Sequence, residues 1–323
     1  MRPTLVLVTV TGRDRPGVTA IVFAALAAHD VDVRDVVQTV NGHHATLTVL
    51  VDLRGDAAAL RHSVGSTTAA VGVESQVDVV DEGEPMSLGK RRPRPRPGPG
   101  RSRAVVLSRQ LRAGAIGDVA KRISDVGGNI ESMWQSSRAE LAGVEMYIDG
   151  DAKAVRKSLI GASAETGLDI AVEPAAARRP ARQLLVLDAD ATLSGDVGDA
   201  RFGPRVVQFV RAVQGSGCRV AAVATARRSA ADTLADMLEL DAAAAVRDRA
   251  GKAAALERLA AAFEVQLPHA VAVGDARRSD LLLSGAGMAV GVDGRSARHA
   301  ATDRSGDEAY LDSVLFVLDV PLN

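Results

Sequence analysis

The apolar run Leu184–Leu187 ends in two aspartates, Asp188 and Asp190, that are one residue apart. A second short apolar run, Ala270–Val273, ends in a glycine and Asp275. Active sites of open parallel sheets lie at the carboxyl ends of the strands, so these carboxylates are candidates for chemistry. Carboxylates at such a position can act as nucleophiles, as general acids and bases, or as ligands of a hard cation.

The elements that must position these carboxylates alternate between strand and helix from residue 183 to 320. Such alternation predicts a parallel sheet with helices on both faces. The pattern predicts strands at 183–190, 219–225, 270–275 and 288–292, and helices at 204–215, 229–239, 251–263 and 278–285. This layout brings Asp188 and Asp275 to the same edge of the sheet.

The front of the chain has a different and repeated pattern. Residues 4–80 follow the order βαββαβ, and residues 104–174 follow it again. That order predicts a ferredoxin-like sandwich in each repeat. We therefore expect four segments: a domain at 1–80, a linker at 81–103, a second domain at 104–177 and the parallel-sheet domain at 183–323.

The linker at 81–103 is dense in proline, glycine and arginine and has seven basic residues. A basic segment can contact nucleic acid or an anionic surface. No aromatic residue lies among these cations to stack on bases, so the composition favours an extended, solvated linker.

Composition narrows the class of protein. The chain has 323 residues, is 47% hydrophobic and carries a net charge of −1, which gives no general attraction to nucleic acid or to an anionic membrane. Its single cysteine, Cys218, excludes an intrachain disulfide and a multi-cysteine metal site. We see neither a signal peptide nor a spanning apolar run, so we expect a soluble, cytoplasmic protein without a membrane or nucleic-acid partner.

The stretch TGRDRPGVTAIVFAALA resembles the opening of an ACT domain, the amino-acid-sensing βαββαβ module, and DVGGNI in the second repeat resembles a turn of the same module. The resemblance implies a small amino-acid effector, serine or glycine, bound by Asp14, Arg15, Pro16, Gly17 and Asn129. A helix start offers free N–H groups to a carboxylate. The alternative is that the proline and glycine serve only the turn and the helix start. We also expect a homodimer built through this half.

Together with the two modules, the stretches LLVLDADATL, DRAGKAAALERLA, VAVGD and AYLDSVLFVLDV resemble the mycobacterial-type phosphoserine phosphatases of the haloacid dehalogenase (HAD) superfamily. The resemblance implies that Asp188 is the nucleophile and Asp190 the general acid and base. Lys252 would neutralise phosphate charge. Asp188, Asp275 and the backbone carbonyl of Asp190 would hold Mg²⁺. Thr192 would fix the nucleophile loop.

Three departures from that family follow. Ala224 stands where the family has a phosphate-binding serine, which leaves the neighbouring Thr225 as the candidate phosphate contact. Ser279 stands where the family has a second metal-supporting aspartate, with Arg278 before it and Asp280 one residue late. We therefore expect weak Mg²⁺ binding, since a carboxylate is lost and a cation gained.

The third departure is the missing helical cap. Only ten residues, Ser194 to Gly203, separate Leu193 from Pro204, too few for a domain with its own core. Asp196, in this segment, matches an acidic residue that faces the substrate in the family. Efficient phosphoserine hydrolysis is not expected, since each lost donor typically costs about two to three decades in rate.

Two hypotheses stay open. The chain is either a Mg²⁺-dependent phosphomonoesterase with an aspartyl-phosphate intermediate, linked to serine metabolism and regulated by amino acids, or a catalytically impaired pseudophosphatase that acts as an amino-acid-sensing scaffold. A capless enzyme admits a small phosphate ester or a phosphorylated macromolecule. The retained carboxylates and Lys252 favour the first hypothesis, whereas Ala224, Ser279 and the missing cap favour the second.

Overall fold

The computed structural model describes residues 3–80, 88, 98, 100–138, 141–175, 181–192, 204–275, 277–292 and 309–321. Most of the expected linker, the short segment expected in place of a cap, and Asp196 lie outside these residues. The chain divides into two compact units, residues 1–159 with 175–177 and residues 160–174 with 178–323.

The first unit holds the front repeats. Its elements are β1 (Thr4–Arg13), α1 (Val18–Ala27), β2 (Val31–Asn41), β3 (His44–Leu53), α2 (Ala57–Ala70), β4 (Glu74–Val79), β5 (Arg101–Ser108), α3 (Ala113–Asp125), β6 (Asn129–Arg138), β7 (Leu141–Asp149) and the first part of α4 (Ala152–Thr166). With β8 (Asp169–Pro174), the predicted order βαββαβ is confirmed for both repeats. The boundaries of the predicted domains stay predictions.

The strands of the first unit lie in the order β5-β7-β6-β2-β3-β1-β4. The two repeats meet where β2 and β6 pair antiparallel, from Val37 opposite Trp134 to Thr39 opposite Ser132. Above this junction α1 packs on α3. Gly117 permits the close approach, because a Cβ there would lie 3.3 Å from the Cβ of Phe23. The two ACT-like repeats are therefore paired within one chain.

The second unit holds the parallel sheet. Its elements after β8 are β9 (Leu184–Asp188), α5 (Ala189–Thr192), α6 (Pro204–Gly215), β10 (Arg219–Thr225), α7 (Arg228–Leu238), β11 (Ala242–Val246), α8 (Gly251–Ala262), a 3₁₀ turn (Leu267–His269), β12 (Ala270–Asp275), α9 (Asp280–Gly285), β13 (Met288–Val292) and α10 (Ala309–Leu318). The strand order is β11-β10-β9-β12-β13-β8. The five strands β9 to β13 pair in parallel, which is the direction predicted for the sheet, and β8 joins antiparallel to β13.

Two details of this sheet differ from the sequence prediction. The strand expected at 183–190 ends at Asp188, and the next residue begins α5. The strand β11 was not predicted, because its run of alanines has no strand preference of its own and depends on pairing with β10. Among the described residues, no helix is both long and apolar enough to cross a membrane.

Candidate active site

The candidate nucleophile Asp188 lies at the end of β9, which lies between β10 and β12. All residues of β9 are buried, and Asp188 at its end has no exposed surface. The chain turns at once into α5, where the Thr192 hydroxyl donates to the carbonyl oxygen of Asp188 at 2.7 Å. The backbone N–H of Asp190 donates to Asp188 Oδ1 at 3.2 Å. The short helix therefore fixes the carboxylate and places Asp190 beside it.

Lys252 connects the two aspartates. It lies at the start of α8 and only 2% of its surface is exposed. Its Nζ lies 2.8 Å from Asp188 Oδ1, 2.7 Å from Asp188 Oδ2 and 2.8 Å from Asp190 Oδ2. A buried charge needs a partner, and here one ammonium compensates two carboxylates. The structure thus brings Lys252 into contact with Asp188 and Asp190, although Lys252 lies more than sixty positions after Asp188 in the sequence.

Thr225 lies on Asp190. Its hydroxyl donates to Asp190 Oδ2 at 2.6 Å, and its backbone N–H donates to Asp190 Oδ1 at 3.0 Å. Ala224, the residue before it, is fully buried in β10 and has no side-chain donor. In this structure, therefore, Thr225 holds the candidate acid and base, whereas the sequence had suggested a phosphate contact.

The surroundings shift the two carboxyl groups in opposite directions. Burial raises the pKa of Asp188 above its ordinary value, and the hydrogen bonds from Lys252 offset only part of this. Burial also acts to raise the pKa of Asp190, but the hydrogen bonds from Lys252 and Thr225 outweigh it, so the net pKa is lowered. Asp190 is thereby held in its ionised form.

The end of β12 forms the other side of the site. Asp275 is buried, and its Oδ1 accepts a hydrogen bond from the backbone N–H of Arg277 at 2.7 Å. Ser279 is fully buried and packs on Gly274, where a Cβ would lie 2.2 Å from Ser279 Oγ and 3.1 Å from Asp188 Cβ. This close approach requires glycine at 274.

The Ser279 hydroxyl has no partner of good hydrogen-bond geometry among the described residues, although it faces Asp188 closely enough to favour the ionised carboxylate. Asp280 does not replace the missing carboxylate. Its Oδ1 lies 2.6 Å from Arg249, and the residue is exposed.

The oxygen atoms of this site fit a hard cation, although the site has one negative charge fewer than the motif of the family because Ser279 replaces an aspartate. Asp188, Asp275 and the carbonyl of Asp190 offer only oxygen donors, the kind that Mg²⁺ prefers. Ser279 Oγ is a buried polar atom without a partner of its own at the place of the lost aspartate. Within the described ranges, no three side chains of histidine, cysteine, aspartate or glutamate cluster as a metal site.

The candidate effector residues lie where the two repeats meet. Asn129 at the start of β6 donates from Nδ2 to Asp14 Oδ2 at 2.7 Å. The guanidinium of Arg15 donates to the carbonyl of Val71. Gly17 caps α1 in the left-handed conformation, φ 93°. Pro16 lies in the same turn. The loop of the first repeat is thus tied to a strand of the second.

Two residues that the sequence analysis missed extend this junction. The buried Thr19 hydroxyl donates to Gln38 Oε1 at 2.8 Å, and Gln38 Nε2 donates to the carbonyl of Ile130 at 2.7 Å. The sequence offered one sign of this contact: Gln38 is a polar residue at a position of β2 where the alternation of apolar and polar residues predicts an inward-facing side chain. The cavity beside them is about 10 Å³, room for one water. A wider groove of about 560 Å³ lies between α1 and α3 and is lined by Gly17 and Ser124.

Comparison with known families identifies the front repeats. Residues 4–78 match an ACT domain model, and residues 102–173 match a second ACT domain model. The chain therefore carries two ACT domains in tandem.

Two curated relatives align with nearly the whole chain. A phosphoserine phosphatase of Streptomyces coelicolor is 29% identical over 393 aligned positions, which cover 98% of this chain and 92% of that protein. Phosphoserine phosphatase SerB2 of Mycobacterium tuberculosis is 28% identical over 390 positions, with coverage of 98% and 93%. Because both alignments are longer than the 323 residues of this chain, each relative has residues where this chain has none.

Solved structures with partial similarity to this chain include a probable phosphatase and a hydrolase. A probable phosphoserine phosphatase from Vibrio cholerae is 17% identical, covers 57% of this chain and 76% of its own, and has a TM-score of 0.35. A HAD family hydrolase from Salmonella enterica serovar Typhi is 13% identical, covers 58% and 88%, and has a TM-score of 0.38.

Proposed function

Because the chain is a full-length homologue of the phosphoserine phosphatases, with two ACT domains ahead of a HAD-like domain, we propose that it is a Mg²⁺-dependent phosphomonoesterase that works through an aspartyl phosphate on Asp188. The observation that carries the proposal is the contact of Lys252 with both aspartates, in which Asp188 and Lys252 are buried and Asp190 is partly exposed. A carboxylate is a suitable nucleophile here because it attacks while ionised and forms an acyl phosphate that water can cleave.

The residues divide the work as follows. Asp188 attacks phosphorus, while Lys252 neutralises charge on the nucleophile and on the transferring group. Asp190 gives a proton to the leaving alkoxide and later takes one from the attacking water. An incoming phosphate would compete for the Lys252 and Thr225 donors that now hold Asp190, and so would release Asp190 for proton transfer.

Mg²⁺, held by Asp188, Asp275 and the carbonyl of Asp190, would offset the repulsion between the attacking carboxylate and the phosphate. The neutral Ser279 supports this ion less than an aspartate would. We therefore propose weak metal binding and a slow reaction.

The proposal is tested by phosphate release from phosphoserine and from p-nitrophenyl phosphate, with and without Mg²⁺. We expect slow, saturable hydrolysis that chelation abolishes. Absence of release from both esters at high Mg²⁺ would contradict the proposal and favour the alternative.

That alternative is an impaired phosphatase whose ACT domains sense an amino acid for a regulatory or scaffold role. Two observations favour it. Ala224 and Ser279 are uncharged, and the hydroxyl of Thr225 donates a hydrogen bond to Asp190. Neither hypothesis requires a different fold, so activity decides between them.

Metal binding can be tested at Arg278 and Ser279, where the chain departs from the pattern of the family it resembles. Arg278→Asn combined with Ser279→Asp is expected to raise Mg²⁺ affinity by about tenfold or more, because residues that support a metal site are commonly worth 10–100-fold. Titration calorimetry measures the affinity without relying on turnover. Arg278→Asn combined with Ser284→Asp, which makes the same total change in charge but adds the carboxylate at an exposed position of α9, is the control. Equal affinity in the repaired variant and the control would contradict the assignment of Ser279.

The effector can be tested by thermal unfolding. We propose that serine or glycine binds at the end of the α1–α3 groove near Gly17, where the free N–H groups of α1 face a carboxylate. Millimolar serine is expected to raise the melting temperature by about 2–4 °C, the shift that about 1 kcal/mol produces in a domain of this size. Asn129→Ala should abolish the shift by freeing Asp14.

Glu74→Gln, exposed on β4, serves as the control and should keep the shift. Gly17→Val is a poorer test, since any side chain at φ 93° strains the backbone whether or not a ligand binds. A shift that persists in Asn129→Ala would place the effector elsewhere. The homodimer expected through these domains stays a prediction.

A further inference from the structure

Six arginines follow the strands that surround Asp188. Two follow each of β10, β11 and β12, and all six are exposed: Arg227, Arg228, Arg247, Arg249, Arg277 and Arg278. Since β10 and β12 are the two neighbours of β9, these loops flank the nucleophile on both sides. Arg227 is two residues from Thr225, which contacts Asp190, and Arg278 precedes Ser279, which packs beside Asp188.

Two of these arginines are engaged. Arg249 pairs with Asp280 at 2.6 Å, and Arg277 donates to the carbonyl of Ala164 at 3.3 Å. The other four have no side-chain hydrogen bond or ion pair within the part of the chain that the structure describes, and we call them the basic rim: Arg227, Arg228, Arg247 and Arg278.

Acidic groups nearby offset part of this charge and leave an excess of cations: close to these strand ends, the six arginines and Lys252 stand against five carboxylates, Asp188, Asp190, Asp248, Asp275 and Asp280. Asp248 accepts a hydrogen bond from the backbone N–H of Gly251 at 3.0 Å, and Asp280 is taken by Arg249. Asp190 is taken by Lys252 and Thr225. The chain as a whole has a net charge of −1, so the excess of arginine at this edge is a local feature.

We propose that the basic rim binds a second phosphate group of the substrate, so that the preferred substrates are small phosphate esters that carry at least two phosphates. The inference rests on the proposed function, because the reacting phosphate is the one at Asp188. Guanidinium groups bind phosphate through two parallel hydrogen bonds and keep their charge at any physiological pH. Phosphoserine carries a carboxylate and an ammonium group in place of a second phosphate, so the net attraction of the rim for it is weaker.

The spacing of the rim fits a small molecule. Neighbouring strands lie about 4.8 Å apart, so loops one and two strands away from β9 begin roughly 5–10 Å from the nucleophile. Two phosphates on opposite ends of a sugar span a distance of this order. A large polyanion would need basic residues over a wider surface than these three loops.

The test compares fructose 1,6-bisphosphate with fructose 6-phosphate as substrates of the full chain with Mg²⁺. For the parent, we expect kcat/KM to favour the bisphosphate by about tenfold or more, mostly through KM. Arg227→Gln with Arg228→Gln, and separately Arg247→Gln, should bring the ratio towards one. The control Arg258→Gln removes the same charge from an exposed position on α8 and should keep the ratio.

Binding separates this inference from the proposed function. Calorimetry on the Asp188→Asn variant should show that the bisphosphate binds more tightly than the monophosphate, and the rim substitutions should remove this difference. If this binding is observed but the parent hydrolyses no ester, the proposed function fails and the inference about the rim stands. Equal binding and equal kcat/KM for both sugars, unchanged by the rim substitutions, would overturn the inference while leaving the phosphatase intact. Preference for a doubly phosphorylated peptide over the sugar bisphosphate would also overturn it.

Discussion

Asp188→Asn is expected to lower phosphate release by at least about a thousandfold, to the detection limit, because loss of a nucleophile costs up to about 10⁶ in enzymes with a covalent step. An asparagine keeps the size and the position at the end of β9 but cannot form the acyl phosphate. The fold should survive, since the Thr192 hydroxyl bonds to the backbone of residue 188 and not to its side chain. Initial rates with p-nitrophenyl phosphate measure the effect.

Asp236→Asn is the matched control for this variant, because it makes the same change at an exposed position of α7. It should retain the parent's rate. If Asp188→Asn also retains activity, the phosphatase does not use Asp188 and the assignment of the whole site is wrong.

Lys252→Met is expected to destabilise the second unit by about 3–5 kcal/mol, the usual cost of leaving a buried charge without its partner. The Lys252 ammonium is the charge that compensates both Asp188 and Asp190, and Asp188 has no exposed surface through which water could replace it. The stability is measured in urea, with hydrogen exchange of the amides in β9 and β12 as the readout. These amides report on the unfolding of the second unit alone.

The loss should depend on pH. Burial already raises the pKa of Asp188, and removal of Lys252 takes away the interaction that opposes this shift. A carboxyl group whose pKa is higher in the folded state favours folding below its unfolded pKa, and this contribution is lost as the pH rises towards the folded pKa. The deficit of Lys252→Met relative to the parent should therefore be small in acid and grow towards neutral pH.

Arg258→Met on the same helix is the control, since its side chain is exposed and surface changes usually cost less than about 0.5 kcal/mol. Adding Asp188→Asn to Lys252→Met should recover part of the stability. A deficit that is equal at acid and neutral pH would mean that lost packing, and not the unpaired Asp188, causes it.

The sequence was sufficient for the order of most elements and for placing Asp188 and Asp275 at the same edge of the sheet. Alternation of strand and helix fixes the direction of the strands, and a parallel sheet then gathers their ends. It was not sufficient for β11, whose alanines form a strand only beside β10. Alanine has little preference for the strand conformation, so pairing with the neighbouring strand determines whether such a segment becomes a strand.

Thr225 illustrates a second limit. Its position next to Ala224 was evident, but its bond to Asp190 depends on the direction in which one side chain leaves the end of β10. The link from Thr19 through Gln38 to Ile130 joins residues more than ninety positions apart in its second step. No local pattern encodes such a contact, because it arises only when β2 pairs with β6.

The pairing of β2 with β6 sets the stoichiometry of any effector. If the two modules belonged to separate proteins, they would have to associate before their junction could form. Here they are tethered in one chain, so the junction forms independently of protein concentration. The tethered modules are not equivalent: before α1 the chain reads Asp-Arg-Pro-Gly, and before α3 it reads Arg-Gln-Leu-Arg. One effector molecule per chain is therefore expected, and the binding curve of a single chain should be hyperbolic.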